Sequence, residues 1–357
     1  MRYENTSLED IAAAEDIRRH GLVEAEPNIT LFLNYHMNDV QMDETDSIQA
    51  VIAQHIMNSE RILVRGRWFA DCTGDGNLGF LAGADYELAI PHMGRTNLFT
   101  TRRTDETQSF PSVPWALNLI EKPFPGRGGS MAHLEEYPFN SLGGWYWESG
   151  FYHDPILKGE YIRDWNLRAR YGAWYVVKNV EKLRPRDEID WVAYISGMRE
   201  SRRLMGDVVL TEEDLLEGRT YEDGCVPLSW RIDVHEPHPD FIKGFEGDAF
   251  IAIAPYENTR YRTPYWLPYR TLYSRNIPNL FMAGRNISVT SRALGAVRVQ
   301  FTTGMMGEIV GMAAHLCQQH DTNPRGIYEH HLEDLFTLMR AGVGREENIP
   351  ATIRSAR

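Results

Sequence analysis

A glycine-rich turn directly after a strand pattern restricts the fold of this chain most. Gly74, Gly76 and Gly79 have the spacing G-x-G-x-x-G and follow residues 62–71, which alternate as a strand. That spacing binds dinucleotides when the turn opens the helix of a βαβ unit of about 30 residues. Here only a few residues after Gly79 can form a helix before the sequence becomes polar. No second apolar strand follows within the length of a βαβ unit. The pattern therefore predicts a tight turn that imitates the fingerprint.

The alternative interpretation of this turn remains testable. An NAD-linked dehydrogenase that used Gly74 to Gly79 would need a second parallel strand soon after Ala84. The opposite alternative is a tight turn with no ligand. A third interpretation is intermediate between these two. In it, the backbone N–H groups of the turn, at the start of a short helix, lie beside the ribose and adenine of a dinucleotide whose main binding site is elsewhere.

The residues before the turn predict one helix and a local meander. Residues 8–21 have apolar side chains at helical spacing, with Ser7 as the cap and Gly21 as the end. Three short strands are predicted next, followed by the strand that leads into the turn, at residues 29–34, 36–42, 47–55 and 62–71.

The rest of the chain changes character twice. Residues 90–265 are loop-rich and aromatic, and they predict a substrate domain inserted into the first one. A strand at residues 279–284 and a helix at residues 299–317, with Gly304, Gly307 and Gly311 for close packing, return to the first domain. A surface helix is predicted at residues 327–339. The predicted division is therefore 1–89, 90–265, 266–320 and 321–357, in an α/β fold.

Composition excludes several classes of function. The net charge of −13 disfavours nucleic acid as a partner. Three scattered cysteines form no C-x-x-C pair, and the first residues lack an apolar signal region. The most apolar run, residues 304–316, is too short to span a bilayer and contains Glu308. We expect a cytoplasmic protein without membrane contact.

Several segments, in order, resemble the FAD-dependent oxidoreductases built on the glutathione-reductase-like two-domain fold. The segments are residues 69–84, 197–206, 231–235, 267–270, 279–288 and 293–299. The resemblance extends from about residue 8 to residue 317. It implies an FAD/NAD(P)-binding α/β domain with an inserted α+β substrate domain, and FAD as the cofactor.

By this resemblance, two glycine turns and a helix start would hold the cofactor. The residues implied near the ADP portion are Thr73, Gly74, Asp75 and Gly76. Those implied against the pyrophosphate and ribityl chain are Ala283, Gly284 and Arg285. Arg298 and Val299 would open a helix directed at the flavin ring, where a positive helix end stabilises negative charge. Many relatives have an acidic residue where this chain has Arg285, whose guanidinium suits a pyrophosphate.

The amino terminus departs from the family pattern. The family opens with a βαβ unit that carries the true fingerprint, and nothing before Leu8 supplies one. We therefore expect a fold that is incomplete at this end. The unit is encoded upstream of the start of this sequence, lost from a truncated gene product, or supplied by another chain. The rival hypothesis is a non-catalytic remnant or binding module that does not hold FAD alone.

The catalytic candidates are His235, beside Asp233, as the acid/base group and Arg199 as a substrate anchor. Arg202 and Arg203 are further candidates for the anchor. A structural role is the alternative for His235, and pairing with Glu200 or Asp207 is the alternative for the three arginines. Tyr256, Tyr261 and Tyr269 are predicted to pack rather than to line a pocket. The histidine spacings at His235–His238 and His330–His331 predict no metal site.

The function predicted from the sequence is removal of a hydride from a C–H bond next to a hydroxyl or amine group. The partner is a small molecule. A carbohydrate-like substrate could stack on Trp145 or Trp147.

Overall fold

The computed structural model describes residues 8–122, 124, 127, 147–239, 242, 245, 248–255 and 260–342. The chain begins with helix α1 (Leu8–Glu24) and continues into a three-stranded antiparallel sheet of order β1-β2-β3. These strands are β1 (Tyr35–Met42), β2 (Ile48–His55) and β3 (Arg61–Arg65). Ile48, Ala50 and Ala53 of β2 are buried, and Ile48 belongs to the larger hydrophobic core.

A short parallel strand pair forms the base of the candidate site. β4 (Phe69–Asp71) leads into the glycine turn and the short helix α2 (Asn77–Leu81). It pairs in parallel with a strand more than 200 residues later, residues 280–282, with Ala70 opposite Phe281. Parallel strands end at the same edge of a sheet, so the turns that follow the two strands lie side by side.

The middle of the chain consists of short antiparallel pairs around one long helix. Its first elements are β5 (Tyr86–Glu87), β6 (Arg95–Thr96), β7 (Phe99–Arg103), β8 (Glu148–Ser149), α3 (Gly159–Tyr175) and a π-helical turn (Val176–Val180). The strands β9 (Asp187–Val192), β10 (Gly197–Met198) and β11 (Arg203–Leu204) follow. The pairings are β10-β6-β8, β11-β5 and β7-β9.

The chain then returns to the first core. The next elements are α4 (Glu212–Glu217), β12 (Gly224–Leu228), β13 (Glu236–Pro237), β14 (Ala252–Ile253), β15 (Tyr265–Pro268), a 3-10 turn (Tyr269–Thr271) and β16 (Leu280–Met282). Four helices complete the described chain: α5 (Ser291–Val297), α6 (Gln300–His320), α7 (Pro324–His330) and α8 (Leu332–Ala341). In the described part of the chain, no helix has the length and apolar character needed to cross a bilayer.

Two hydrophobic cores are present. The larger one contains Leu204, Val226, Phe281 and Val310, together with most of the buried residues beyond position 204. The smaller core is aromatic and is built from β7, α3 and their neighbours, with Trp147, Trp174 and Phe250 among its members. Residues 204–234 therefore pack with the return segment, and the domain boundaries drawn from the sequence stay a prediction.

Three predicted elements differ in the structure. The strand predicted at residues 29–34 does not form, and the side chains of Ile29, Leu31 and Phe32 are exposed. The strand predicted at residues 62–71 is two strands, because β3 pairs with β2 whereas β4 pairs with β16. The helix predicted at residues 327–339 is interrupted at His331, whose φ of −133° is not helical.

The predictions for residues 8–21, 279–284 and 299–317 correspond to α1, β16 and α6, although α1 continues past Gly21 to Glu24. Helical spacing in the sequence also predicts a helix at residues 164–178, which corresponds to α3 with its π-helical turn. The same spacing predicts helix in part of residues 188–204, and this prediction is wrong because β9, β10 and β11 form there. The tail after residue 342 lies outside the described residues.

Candidate active site

The two glycine turns lie against each other at the ends of β4 and β16. Gly74 and Gly284 have φ values of +73° and +129°. A side-chain carbon added at Gly284 would lie 3.9 Å from the Cα atom of Gly74. Both residues have positive φ angles, which residues other than glycine rarely adopt, so the close approach of the two backbones requires glycine at both positions.

The buried carboxylate of Asp71 holds the first turn. Its Oδ1 atom accepts hydrogen bonds from the amide and the hydroxyl of Thr73, and Oδ2 accepts one from the amide of Gly79. Ala283 and the side chain of Asn286 donate to the carbonyl of Asp71. Asp71 therefore fixes both turns, and its position at the end of a strand was the only sequence signal for this role.

The amides of the first turn have a feature that suits an anion. Within the described residues, the backbone N–H groups of Gly74, Asp75 and Gly76 donate no hydrogen bond. Consecutive free amides in left-handed and turn conformations form a concave site for phosphate-like groups. The residues present thus fit the diphosphate of a dinucleotide.

Arg285 lies over this turn. Its Nη2 atom is 2.7 Å from Asp75 Oδ1, and its Nη1 atom donates to Ser201 Oγ at 2.8 Å. The Ser201 hydroxyl in turn donates to Asp75 Oδ1 at 2.6 Å. A carbon added at Gly74 would lie 3.2 Å from Arg285 Nε, so the arginine covers the glycine.

A second group of predicted residues meets in a cavity of about 500 Å³. Arg199, His235, Arg298 and Val299 all line it, so the structure brings the two catalytic candidates and the predicted helix start together. The other lining residues are Thr96, Gly197, Met198, Trp230, Arg231, Asp233 and Gln300.

His235 lies between two carboxylates. Its Nδ1 atom is 2.7 Å from Glu148 Oε1, and its Nε2 atom is 3.3 Å from Asp233 Oδ1. Glu148 is fully buried and also lies 2.5 Å from Arg199 Nη1. Arg298 Nη2 donates to Asp233 Oδ2 at 3.0 Å. The cavity wall is therefore an alternating chain of cations and anions.

These neighbours shift the pKa values of His235 and Asp233 in opposite directions. Burial by itself would lower the pKa of His235, but the charge of Glu148 and the contacts with Asp233 and Glu148 outweigh burial and raise that pKa. Burial would raise the pKa of Asp233, yet His235, Arg298 and Arg199 lower it to about 2. Asp233 is thus ionised throughout the neutral range, and His235 keeps its proton to a higher pH than a free histidine.

Helix α6 begins at the cavity. Its cap residue, Val299, supplies no side-chain hydrogen bond, and Val299 and Gln300 line the cavity wall. The first N–H groups of a helix have no partners inside the helix and carry partial positive charge. The start of α6 therefore adds to the positive potential of Arg199 and Arg298.

One stretch of chain joins the cavity to the glycine turns. Arg199 points to Glu148 in the cavity, whereas Ser201 contacts Asp75 and Arg202 donates to Asn77 Oδ1 at 3.1 Å. Between them, Glu200 forms a buried ion pair with Arg203. The structural alternative predicted for these arginines, pairing with Glu200 or Asp207, is confirmed for Arg203 and Glu200, whereas Asp207 contacts Arg325.

Several other candidates lie elsewhere. Tyr269 is fully buried in the larger core, and Tyr261 donates to the carbonyl of Trp230. Trp147 is 1% exposed and stacks on Phe250, so it offers no free face to a sugar. Trp145 and Tyr256 lie outside the described residues.

The dehydrogenase interpretation of Gly74 to Gly79 is excluded by the strand that follows. After α2 the chain enters β5, which pairs antiparallel with β11. Within the described residues, the parallel partner of β4 is β16. The turn is therefore not part of a βαβ crossover.

Two residues that matter here were missed from the sequence. Glu148 lies in an aromatic stretch whose composition predicts packing. Its charge within that stretch is the only sequence signal that could have indicated a functional role. Trp230 is 42% exposed at the cavity, and its position one residue before Arg231 carries no pattern.

Comparisons with known proteins give one match. The model of the family described as FAD dependent oxidoreductase matches residues 4–336. Among curated proteins and among solved structures, the comparisons found no match.

Proposed function

Because this chain belongs to the family of FAD-dependent oxidoreductases, we propose that it oxidises a small molecule in the cavity lined by His235, Arg199 and Arg298. The bond oxidised is a C–H bond next to a hydroxyl or amine group. FAD is the cofactor, and when bound it accepts the hydride with its electron pair. The observation that carries the proposal is that the cavity and the two glycine turns share one connecting stretch, residues 199–202.

His235 is the group proposed to move the proton. When the hydride leaves the carbon, the hydroxyl oxygen forms a double bond to that carbon and releases its proton. The neutral form of His235, whose share grows as the pH rises through the raised pKa of this residue, receives this proton at Nε2, because the contact of Nε2 with Asp233 at 3.3 Å is the weaker of its two carboxylate contacts. Glu148 and Asp233 stabilise the resulting imidazolium ion.

The cations and the aromatic face define the substrate class. Arg199 and Arg298 are both engaged by carboxylates, and these pairs orient their remaining N–H groups. Trp230 provides the partly exposed aromatic surface that buried Trp147 does not. Hydroxyl-rich molecules with an apolar C–H face suit such a wall, so we infer a carbohydrate-like substrate.

The residues proposed to hold FAD are those of the two turns and the helix start. The free amides of Gly74, Asp75 and Gly76, together with Arg285, suit the diphosphate. Thr73, Ala283 and Gly284 complete the turns, and Arg298 and Val299 lie where α6 begins.

The test of the oxidoreductase proposal uses the full chain at saturating FAD without oxygen. Alditols and amino alcohols serve as probes, and loss of flavin absorbance is measured. We expect His235→Asn to slow the reduction by at least about a hundredfold. His315→Asn, an exposed histidine on α6, is the control and keeps the full rate. Equal rates for the two variants would contradict the role of His235.

A second proposal concerns how the cofactor is retained, and two open surfaces favour it. The backbones of Phe69 and Asp71 in β4 form hydrogen bonds with β16. The N–H and C=O groups of Ala70 between them therefore point to the other edge of β4, away from β16. Ala70 and Cys72 are both exposed. On α6, a carbon added at Gly304, Gly307 or Gly311 would meet no atom of the described residues within 4 Å apart from the adjacent turns of α6 itself. We infer that a dinucleotide-binding unit of another polypeptide covers these surfaces and completes the FAD site.

FAD titration of the full chain alone tests this second proposal. We expect weak binding, so that the quench of flavin fluorescence shows no stoichiometric end point at one FAD per chain and saturates only at a large excess of FAD. Tight one-to-one binding would refute the need for a further unit and leave the oxidoreductase proposal intact. If the chain does not reduce FAD at any FAD concentration, the result would favour the rival hypothesis of a non-catalytic remnant.

A further inference from the structure

Three ligating side chains converge at the carboxyl end of α6, away from the candidate active site. His320 is the last residue of α6, His331 separates α7 from α8, and Asp334 lies in the first turn of α8. Their ligating atoms all lie within 4.8 Å of one another. We propose that these three residues form a zinc-binding site that ties the three helices together.

The distances suit a tetrahedral metal ion. Asp334 Oδ2 lies 3.3 Å from His320 Nε2 and 3.3 Å from His331 Nδ1. Ligands placed about 2.0–2.1 Å from a tetrahedral ion are separated from one another by about 3.3–3.4 Å. Two edges of a zinc tetrahedron are therefore already formed.

The donor set selects the metal. Two imidazoles and one carboxylate suit Zn²⁺, whereas Mg²⁺ and Ca²⁺ prefer oxygen ligands alone. The three side chains are partly open to solvent, which leaves the fourth position to water. The acidic chain, with a net charge of −13, also attracts a divalent cation.

Binding requires one local adjustment. The rings of His320 and His331 are stacked, with centroids 3.7 Å apart and an angle of 14° between their planes. A metal must lie near the plane of each ring that binds it, so one ring must tilt out of the stack. His320 is the exposed last residue of α6, so the ring that tilts is the one at the helix end.

The site would act as a clamp on the carboxyl-terminal helices. The chain between His320 and His331 includes all of α7, and the ion would close this loop at its two ends. An ion that binds the folded chain and not the unfolded one raises the unfolding midpoint.

The experiment uses the full chain after treatment with a chelator. Zinc binding is measured by calorimetry and the unfolding midpoint by thermal melting. We expect one zinc ion per chain and a higher midpoint with zinc. His331→Ala and Asp334→Asn should each weaken binding by at least about tenfold and abolish the zinc-dependent shift.

His330→Ala is the matched control. This neighbouring histidine contacts Glu329 at 3.8 Å and lies edge-on to His331. The control should bind zinc like the unmodified chain, and Co²⁺ should give the visible bands of a tetrahedral site in both proteins. Unchanged zinc affinity in His331→Ala and Asp334→Asn would overturn the proposal, because the ion would then bind to other histidines among the twelve.

Discussion

Arg285 and Asp75 form an ion pair that bridges the two glycine turns, with Nη2 and Oδ1 2.7 Å apart. Ser201 contacts both side chains. In this arrangement the carboxylate neutralises the arginine at the place where the free amides of the first turn would receive a diphosphate. A bound diphosphate would therefore compete with Asp75 for the guanidinium group.

This competition predicts opposite effects for two substitutions. Asp75→Asn removes the competing charge and should strengthen binding of ADP or FAD. Arg285→Gln removes the cation and should weaken binding by about tenfold, which corresponds to about 1.4 kcal/mol. Calorimetric titration with ADP measures both effects. Arg275→Gln, which breaks the pair with Asp85, is the control and should leave the affinity unchanged. Changes in the same direction for Asp75→Asn and Arg285→Gln would contradict the competition.

The raised pKa of His235 predicts a pH dependence of stability. A histidine whose pKa is higher in the folded state stabilises the fold fully below its unfolded pKa of about 6.5. This contribution is lost as the pH rises through the folded pKa. The free energy of unfolding, measured in urea at several pH values, should therefore decrease from slightly acidic to alkaline pH.

The substitution Glu148→Gln tests whether the charge of Glu148 causes the raised pKa of His235. Without the Glu148 charge, the pKa of His235 should fall, and the slope of stability against pH should become shallower. Arg199 also loses its contact with the buried carboxylate of Glu148, so stability should drop at every pH by about 3–5 kcal/mol. His235→Asn should remove the same slope. A slope that persists in both variants would assign the pH dependence to other groups.

The open edge of β4 predicts that two proline substitutions differ. Ala70→Pro removes an N–H group that donates no hydrogen bond within the described residues, so stability should change by less than about 1 kcal/mol. Ala283→Pro removes the N–H group that donates to Asp71 and should cost about 3 kcal/mol. Urea unfolding measures both. If Ala70→Pro is as damaging as Ala283→Pro, the edge is not open.

Local patterns were sufficient for the elements that carry strong periodicity. The glycines after residue 71 and the apolar stretch before Gly284 predicted two strand-to-turn units, and the structure pairs these units in parallel. The lack of an apolar strand after Ala84 correctly predicted that the first turn lies outside a βαβ crossover. Both predictions depend on residues that are close in sequence.

Interactions between distant residues could not be predicted in the same way. Glu148 and His235 are 87 positions apart, and His320 meets Asp334 only because α7 folds back between them. The apolar residues 29–34 have a strand composition, but in the described chain they remain exposed and unpaired. Propensity alone does not form a strand without a neighbouring strand or a core to cover it.

Two helical glycines offer the last test, because they have opposite surroundings. A carbon added at Gly295 on α5 would lie 2.9 Å from the backbone N and O atoms of Asp233, whereas one added at Gly304 on α6 would contact none of the described residues outside its own helix. Gly295→Ala should therefore displace Asp233, lower stability by about 1–3 kcal/mol and reduce the rate of substrate oxidation. Gly304→Ala should raise stability by about 0.5–1 kcal/mol, since alanine loses less backbone entropy in a helix. Urea unfolding and flavin reduction measure the two effects. Equal stability changes in the two variants would mean that α5 does not hold the segment of Asp233 and His235 in place.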